Sequence, residues 1–251
     1  MRLPALLLTA AVCAAFLSPS AASLLAQEPS IGIDANPTGN TATSLGTIDS
    51  CVAVASGATF DIDLFIRDVN SLGTWAVYLD TDPNIVQVMN RDVNLFLASA
   101  TGSNAFDASD KTPNSTGLYT LGAADTADPL APDSGSGVLA RVTLQATSAG
   151  VSPLRVAVRD LNEDGTLDRA PLLRDANADI IGDTNGDKYF DGPIENAQVA
   201  VGTSCADAGS VNAGDDGDDD VVWIVVAAVA AVALVSLGGL AALRLRRRRE
   251  V

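Results

Sequence analysis

Two stretches of this chain alternate apolar and polar positions with a period of two. Phe60, Ile62, Leu64 and Ile66 alternate with Asp61, Asp63, Phe65 and Arg67, and Val138, Ala140, Val142 and Leu144 alternate with Leu139, Arg141, Thr143 and Gln145. Successive side chains of a strand point to opposite faces, so each stretch predicts a strand with one buried face. Asp61 and Asp63 then fall on the outward face. Shorter apolar runs at 31–33, 51–54, 75–79, 85–88, 118–121, 154–158 and 198–201 are separated by Gly, Pro, Asn, Asp and Ser, residues that favour turns. No long amphipathic helix precedes residue 221, and 93–100 suits at most a short one. About nine strands within 30–205 predict one all-β domain, a two-sheet sandwich rather than a parallel sheet.

The pattern changes at the ends of the chain. Residues 221–243 form an apolar run without a charge. As a helix rising about 1.5 Å per residue it spans about 34 Å, enough for a hydrocarbon core of about 30 Å. An acidic stretch (GDDGDDD, 214–220) precedes it and an arginine cluster (RLRRRR, 244–249) follows. Cytoplasmic flanks carry the positive charge, so the tail 244–251 is expected inside and the rest outside, a single-pass protein of the cell membrane. Arg2, an apolar stretch to Leu17 and small residues to Ala26 predict a signal peptide, cut within 22–26. Cys13 leaves with it. Residues 206–220 lack large side chains and read as an acidic linker.

Composition narrows the chemistry. Between 27 and 220 lie 30 acidic and 9 basic residues, a net of −21 (9 − 30). That charge repels nucleic acid and anionic lipid headgroups, and suits calcium, neutral sugars or a basic protein partner. The chain has no histidine, which removes histidine triads and most zinc sites. Cys51 and Cys205 bracket the domain, and an even pair in an exported chain predicts a disulfide. Two unpaired buried thiols are the other reading.

The strands also carry motifs in order. Residues 60–69 (FDIDLFIRDV), 72–83 (LGTWAVYLDTDP) and 85–88 (IVQV) resemble the opening strands of cohesin domains, with Thr81 where an aromatic is usual. Residues 135–145 (GSGVLARVTLQ), 152–156 (SPLRV) and 196–201 (NAQVAV) resemble that family's later strands. The resemblance covers most of 31–201. It implies a two-sheet, jelly-roll-like sandwich of about nine strands, here followed by a single transmembrane α-helix. It also implies a non-catalytic module that binds a polysaccharide or a dockerin-bearing protein. A structural or adhesion spacer without a discrete ligand is the alternative.

The most chemically loaded segment is 160–195. Asp160, Asn162, Asp164 and Asp168 match positions 1, 3, 5 and 9 of an EF-hand-type calcium loop, with Gly165 at position 6 but Pro171 at position 12. Asp183, Asn185, Asp187 and Asp191 repeat that spacing, with Lys188 at position 6, and Asp175, Asn177 and Asp179 form a third partial copy. Alternate residues of a tight loop can turn several hard oxygens inward, as calcium requires. Asx turns held by side-chain to backbone bonds give the same pattern without metal, so both readings stand. No acid lies in an apolar stretch that would raise its pKa for glycoside hydrolysis. For sugar stacking the candidates are Trp75, Tyr78, Phe65, Tyr119 and Tyr189. Asn114-Ser115-Thr116 is a glycosylation sequon in a polar loop.

Overall fold

The computed structural model describes residues 27–159 and 167–208. The strands are β1 (Ser30–Asp34), β2 (Cys51–Val54), β3 (Thr59–Thr81), β4 (Val86–Asp92), β5 (Ala105–Asp107), β6 (Leu118–Asp125), β7 (Asp133–Ala146), β8 (Gly150–Val156), β9 (Leu172–Asp175), β10 (Ile194–Glu195) and β11 (Ala197–Val201). A 3-10 turn at Phe96–Ala98 is all that forms of the helix expected over 93–100. Among the described residues no helix is long and apolar enough to cross a membrane. The signal peptide expected at 1–26 and the span and tail expected over 221–251 lie outside the described residues. So does the linker beyond residue 208.

β3 organises everything else. The sequence suggests two strands, at 60–67 and 75–79; the chain makes one strand of 23 residues. Its first half pairs with β1 on one side and β7 on the other, β7 pairs onward with β4, and β1 with β10. Its second half pairs with β6 on one side and with β8 and β9 on the other, continuing to β5 at one edge and to β11 and β2 at the other. Strands that serve two sheets change partners at bulges. Here the register shifts between Ile66 and Leu72, where Asp68 (φ 54°) and Ser71 (φ 57°) adopt the left-handed region. The backbone N–H groups of both residues are caught by β7, donating to the hydroxyls of Ser136 (3.0 Å) and Ser134 (2.8 Å).

The two layers pack face to face, as in a β-sandwich. Ile33, Ile62, Leu64 and Val142 from the first layer meet Val77, Leu79, Leu121 and Val156 from the second around an apolar cavity of about 10 Å³. Trp75, Tyr119 and Phe96 fill the same core. The alternation read from the sequence thus marks the inward face correctly, but part of the opposite face is covered. The segment between β1 and β2 wraps over the first layer, and the Ala42 carbonyl sits where a Cβ on Gly137 would be (2.0 Å). Only glycine fits there, which accounts for one glycine of the GSG motif. Phe65 is fully buried under this side, with the Arg67 guanidinium 4.5 Å from its ring centre.

Asp63 is the main departure from expectation. It is 0% exposed, whereas Asp61 beside Thr143 does lie at the surface. Arg141 grips Asp63 with two bonds, Nε to Oδ1 (2.8 Å) and an Nη to Oδ2 (2.9 Å). The Asn40 amide donates to Asp63 (3.0 Å) and to buried Asp34 (2.8 Å), so one side chain from the wrapping segment bridges two carboxylates that lie opposite each other on neighbouring strands. Around Asp63 the outward face of β3 is therefore a buried, hydrogen-bonded seam.

Cys51 and Cys205 form a disulfide that ties edge strand β2 to the segment leaving β11. β2 and β11 also pair in parallel.

Candidate functional site

The acidic loop between β9 and β10 brings the second calcium-type motif together. Ligand oxygens of Asp183, Asp187 and Asp191 lie within 4.8 Å of one another. The loop holds itself in shape by Asx-type bonds. Asp183 accepts the N–H groups of Gly186 (2.7 Å) and Lys188 (3.1 Å), Asn185 accepts that of Asp187 (2.8 Å), and Asp187 that of Tyr189 (2.8 Å). Asp191 closes the ring, accepting from the Thr184 N–H (2.7 Å) and from the Asn185 side chain (2.9 Å). The Thr184 N–H is the main influence that holds the Asp191 carboxyl below the ordinary carboxylate range, so it is ionised at neutral pH. Lys188, at the position where the motif has glycine, adopts a left-handed φ of 73° and so makes the same turn. Buried Phe190 anchors the loop to the core.

Most of the first motif, Asp160, Asn162 and Asp164, falls outside the described residues; Asp168 donates its backbone N–H to the Arg159 carbonyl (2.9 Å). The third partial copy is a turn in which Asp175 accepts the N–H groups of Asn177 (2.8 Å) and Asp179 (2.9 Å).

A second candidate is the outward face of the β5–β6–β3 layer. Residues directly opposite in antiparallel strands share a face. Phe106 lies opposite Ala124, Ala124 opposite Thr74, and Gly122 opposite Ala76. Their neighbours Ala123, Trp75 and Val77 point into the core. Phe106 is 60% exposed, the most exposed large apolar side chain among the described residues. It stands at one end of a floor of small side chains and Thr120, with Tyr78 beyond. Behind it, on the inward side, the Arg91–Asp107 ion pair (2.8 Å) fixes β5 to β4. Phe106 is not legible from the sequence, being an isolated apolar residue in the polar run SNAFDAS with no periodicity to classify it.

The aromatics that the sequence offers for sugar stacking fare differently. Trp75, Tyr119 and Phe65 are buried in full, so none offers a ring to a sugar. Tyr78 faces outward with the Arg169 guanidinium 5.6 Å from its ring centre, and Tyr189 is half-buried in the acidic loop. The cavity between the layers is lined by apolar side chains alone and presents no reacting group.

No family model matches the chain, and no curated protein does. Solved structures do. A type II cohesin of Acetivibrio cellulolyticus matches at 14% identity over 69% of this chain and 95% of its own, with a TM-score of 0.46. A non-cellulosomal cohesin of Archaeoglobus fulgidus matches at 13% identity over 70% and 93%, with a TM-score of 0.42. A type I cohesin of Clostridium thermocellum, in complex with a dockerin, matches at 11% identity over 69% and 93%, with a TM-score of 0.45. Each of the three is a cohesin domain. They belong to the family that the ordered strand motifs resemble.

Proposed function

We propose that this chain is a non-catalytic, cohesin-type binding module displayed outside the cell on a single membrane-spanning helix, and that its partner is a dockerin-type protein module. The observation that carries the docking part is Phe106, 60% exposed and in register with a row of small residues on the same face, Ala124 beside it and Gly122 and Ala76 in the next rung. Small side chains let a partner's backbone approach, and an exposed aromatic beside them supplies an anchor of the kind that dominates interface energy. The ring chemistry favours protein over polysaccharide, because the larger aromatics are committed to the core and Tyr78 already carries a guanidinium. The disulfide suits an oxidising exterior, and the apolar run 221–243 supports the anchor.

The test is a titration of the 27–220 piece against a panel of dockerin modules by calorimetry. Phe106→Asp is expected to weaken binding by about 30-fold or more, the loss of about 2 kcal/mol typical of a central anchor, with an unchanged unfolding midpoint. Equal affinity of the variant would remove the face from the proposal. Absence of any dockerin binding at micromolar concentrations would leave the spacer reading.

Calcium at Asp183, Asn185, Asp187 and Asp191 is the second part of the proposal. It rests on three converging carboxylates in a loop already curled around its own oxygens; any calcium held through Asp160, Asn162, Asp164 and Asp168 rests on sequence spacing. Millimolar calcium is expected to raise the unfolding midpoint by several degrees relative to chelator, and Asp187→Asn to abolish that rise. A ligand at 100 times its Kd adds about 2.7 kcal/mol. A midpoint indifferent to calcium means that the Asx bonds alone hold the loop.

A further inference from the structure

The sequence contains one Asn-x-Ser/Thr triplet whose middle residue is not proline, Asn114-Ser115-Thr116. It lies in the connection between β5 and β6, where Ser115 and Thr116 are exposed. The turn is built, not loose. Asn114 exchanges two backbone bonds with Val88 of β4 (N–H to carbonyl 2.8 Å, carbonyl from N–H 2.9 Å). After the triplet, Gly117 (φ 82°) packs so closely on Pro83 that a Cβ would lie 2.7 Å from its Cδ.

Within the turn the Asn114 side chain has one end engaged and the other open. Oδ1 accepts the Thr116 N–H (3.0 Å), and the Thr116 hydroxyl lies 2.9 Å from Oδ1 and 2.8 Å from the Leu118 carbonyl, able to donate to either. Nδ2 has no partner among the described residues. Asn36-Pro37-Thr38 makes an instructive contrast. Asn36 Oδ1 also receives a threonine hydroxyl (2.8 Å), but its Nδ2 is spent on Asp49 Oδ2 (2.9 Å) and proline sits between the two residues.

We propose that Asn114 is an N-glycosylation site, modified by a polyprenyl-phosphate-linked oligosaccharide donor. A carboxamide nitrogen is a poor nucleophile because its lone pair is delocalised into the carbonyl. Losing a proton from Nδ2 puts negative charge on Oδ1, where the Thr116 N–H and hydroxyl are placed to stabilise it. The bond that forms joins Nδ2 to the anomeric carbon. The bond that breaks joins that carbon to the donor's phosphate oxygen, which leaves with the bonding pair as the polyprenyl phosphate or pyrophosphate. The Nδ2 proton goes to a base of the transferase, and no oxidant or reductant is needed. The site goes beyond the docking proposal and does not depend on it.

The experiment is mass spectrometry of the full chain isolated from its native cells, read on the tryptic peptide 112–141. The expected result is a set of hexose or N-acetylhexosamine increments on Asn114. Asn114→Gln and Thr116→Ala, made in the same cells, lose the increments, whereas Ser115→Ala and Thr116→Ser keep them. Thr116→Ala leaves Asn114 intact, so its loss of sugar cannot be assigned to disruption of the β4 bridge, which is made by the Asn114 backbone. An unmodified 112–141 peptide from native cells overturns the proposal. So does sugar that survives in Asn114→Gln, which would place it on the Ser115 or Thr116 hydroxyl.

Discussion

Removing the Cys51–Cys205 bridge, by reductant or by Cys51→Ser, is expected to lower the unfolding midpoint of the 27–220 piece by about 10–20 °C. The bridge joins residues 154 apart in sequence, so it closes nearly the whole domain into one loop. The chain-entropy estimate for a loop of that size is about 5 kcal/mol, and a domain of this length moves by about 2–4 °C per kcal/mol. What remains without the bridge is slight. β2 is an edge strand of four residues with no fully buried side chain, paired on one side only. The segment after β11 is held by a turn in which Ser204 and Asp207 bond each other (2.6 Å). Both ends should fray together on reduction, so protection of the Val52 and Val54 amides against hydrogen exchange should fall before that of β3. A scan with and without reductant decides it. A shift below about 3 °C would mean that the β2–β11 ladder stands by itself and that the reduced, unfolded chain is already compact.

How much of this was legible beforehand depended on whether the deciding interaction was local. Alternation at 60–66 and 138–145 marks the inward face because the rule for it lies within one strand. The Asp183–Asp191 ring is legible from spacing for the same reason, since Asx turns are made by residues two to five apart. The joining of two segments into one β3 is not legible. The run Asp68-Val-Asn-Ser-Leu breaks the period and looks like a turn, and what carries the strand through it are two serine hydroxyls more than 60 residues away. β5, β9 and β10 have three, four and two residues, too few for any period. The fate of Asp63 hides in the same way, because a polar residue alternating with apolar ones reads as outward unless a distant segment covers it. Phe65 and Arg67 continuing that face are the available hint, since a wholly solvated face has little use for a phenylalanine.

That covered seam carries the second large effect. Arg141→Met is expected to destabilise the domain by about 3 kcal/mol, lowering the midpoint by about 6–12 °C. The arginine itself is about a third exposed, so the charge stranded by its loss is Asp63, which is fully buried. Asp63 would keep only the Asn40 amide, while Asp34 stands directly opposite it on β1 and Asn40 must serve both. Like charges facing each other across a strand pair repel, and here Arg141 is the cation placed to offset them. Water entering where the guanidinium stood will soften the loss, which sets the figure at the low end of the range for a broken buried pair. The double variant Asp63→Leu with Arg141→Met separates charge from packing. Replacing a buried pair by apolar groups of similar volume is commonly neutral, so the double variant should recover most of the midpoint lost by Arg141→Met. If the two substitutions simply add, the seam acts through shape and the Asn40 bridge, and the ion pair contributes little.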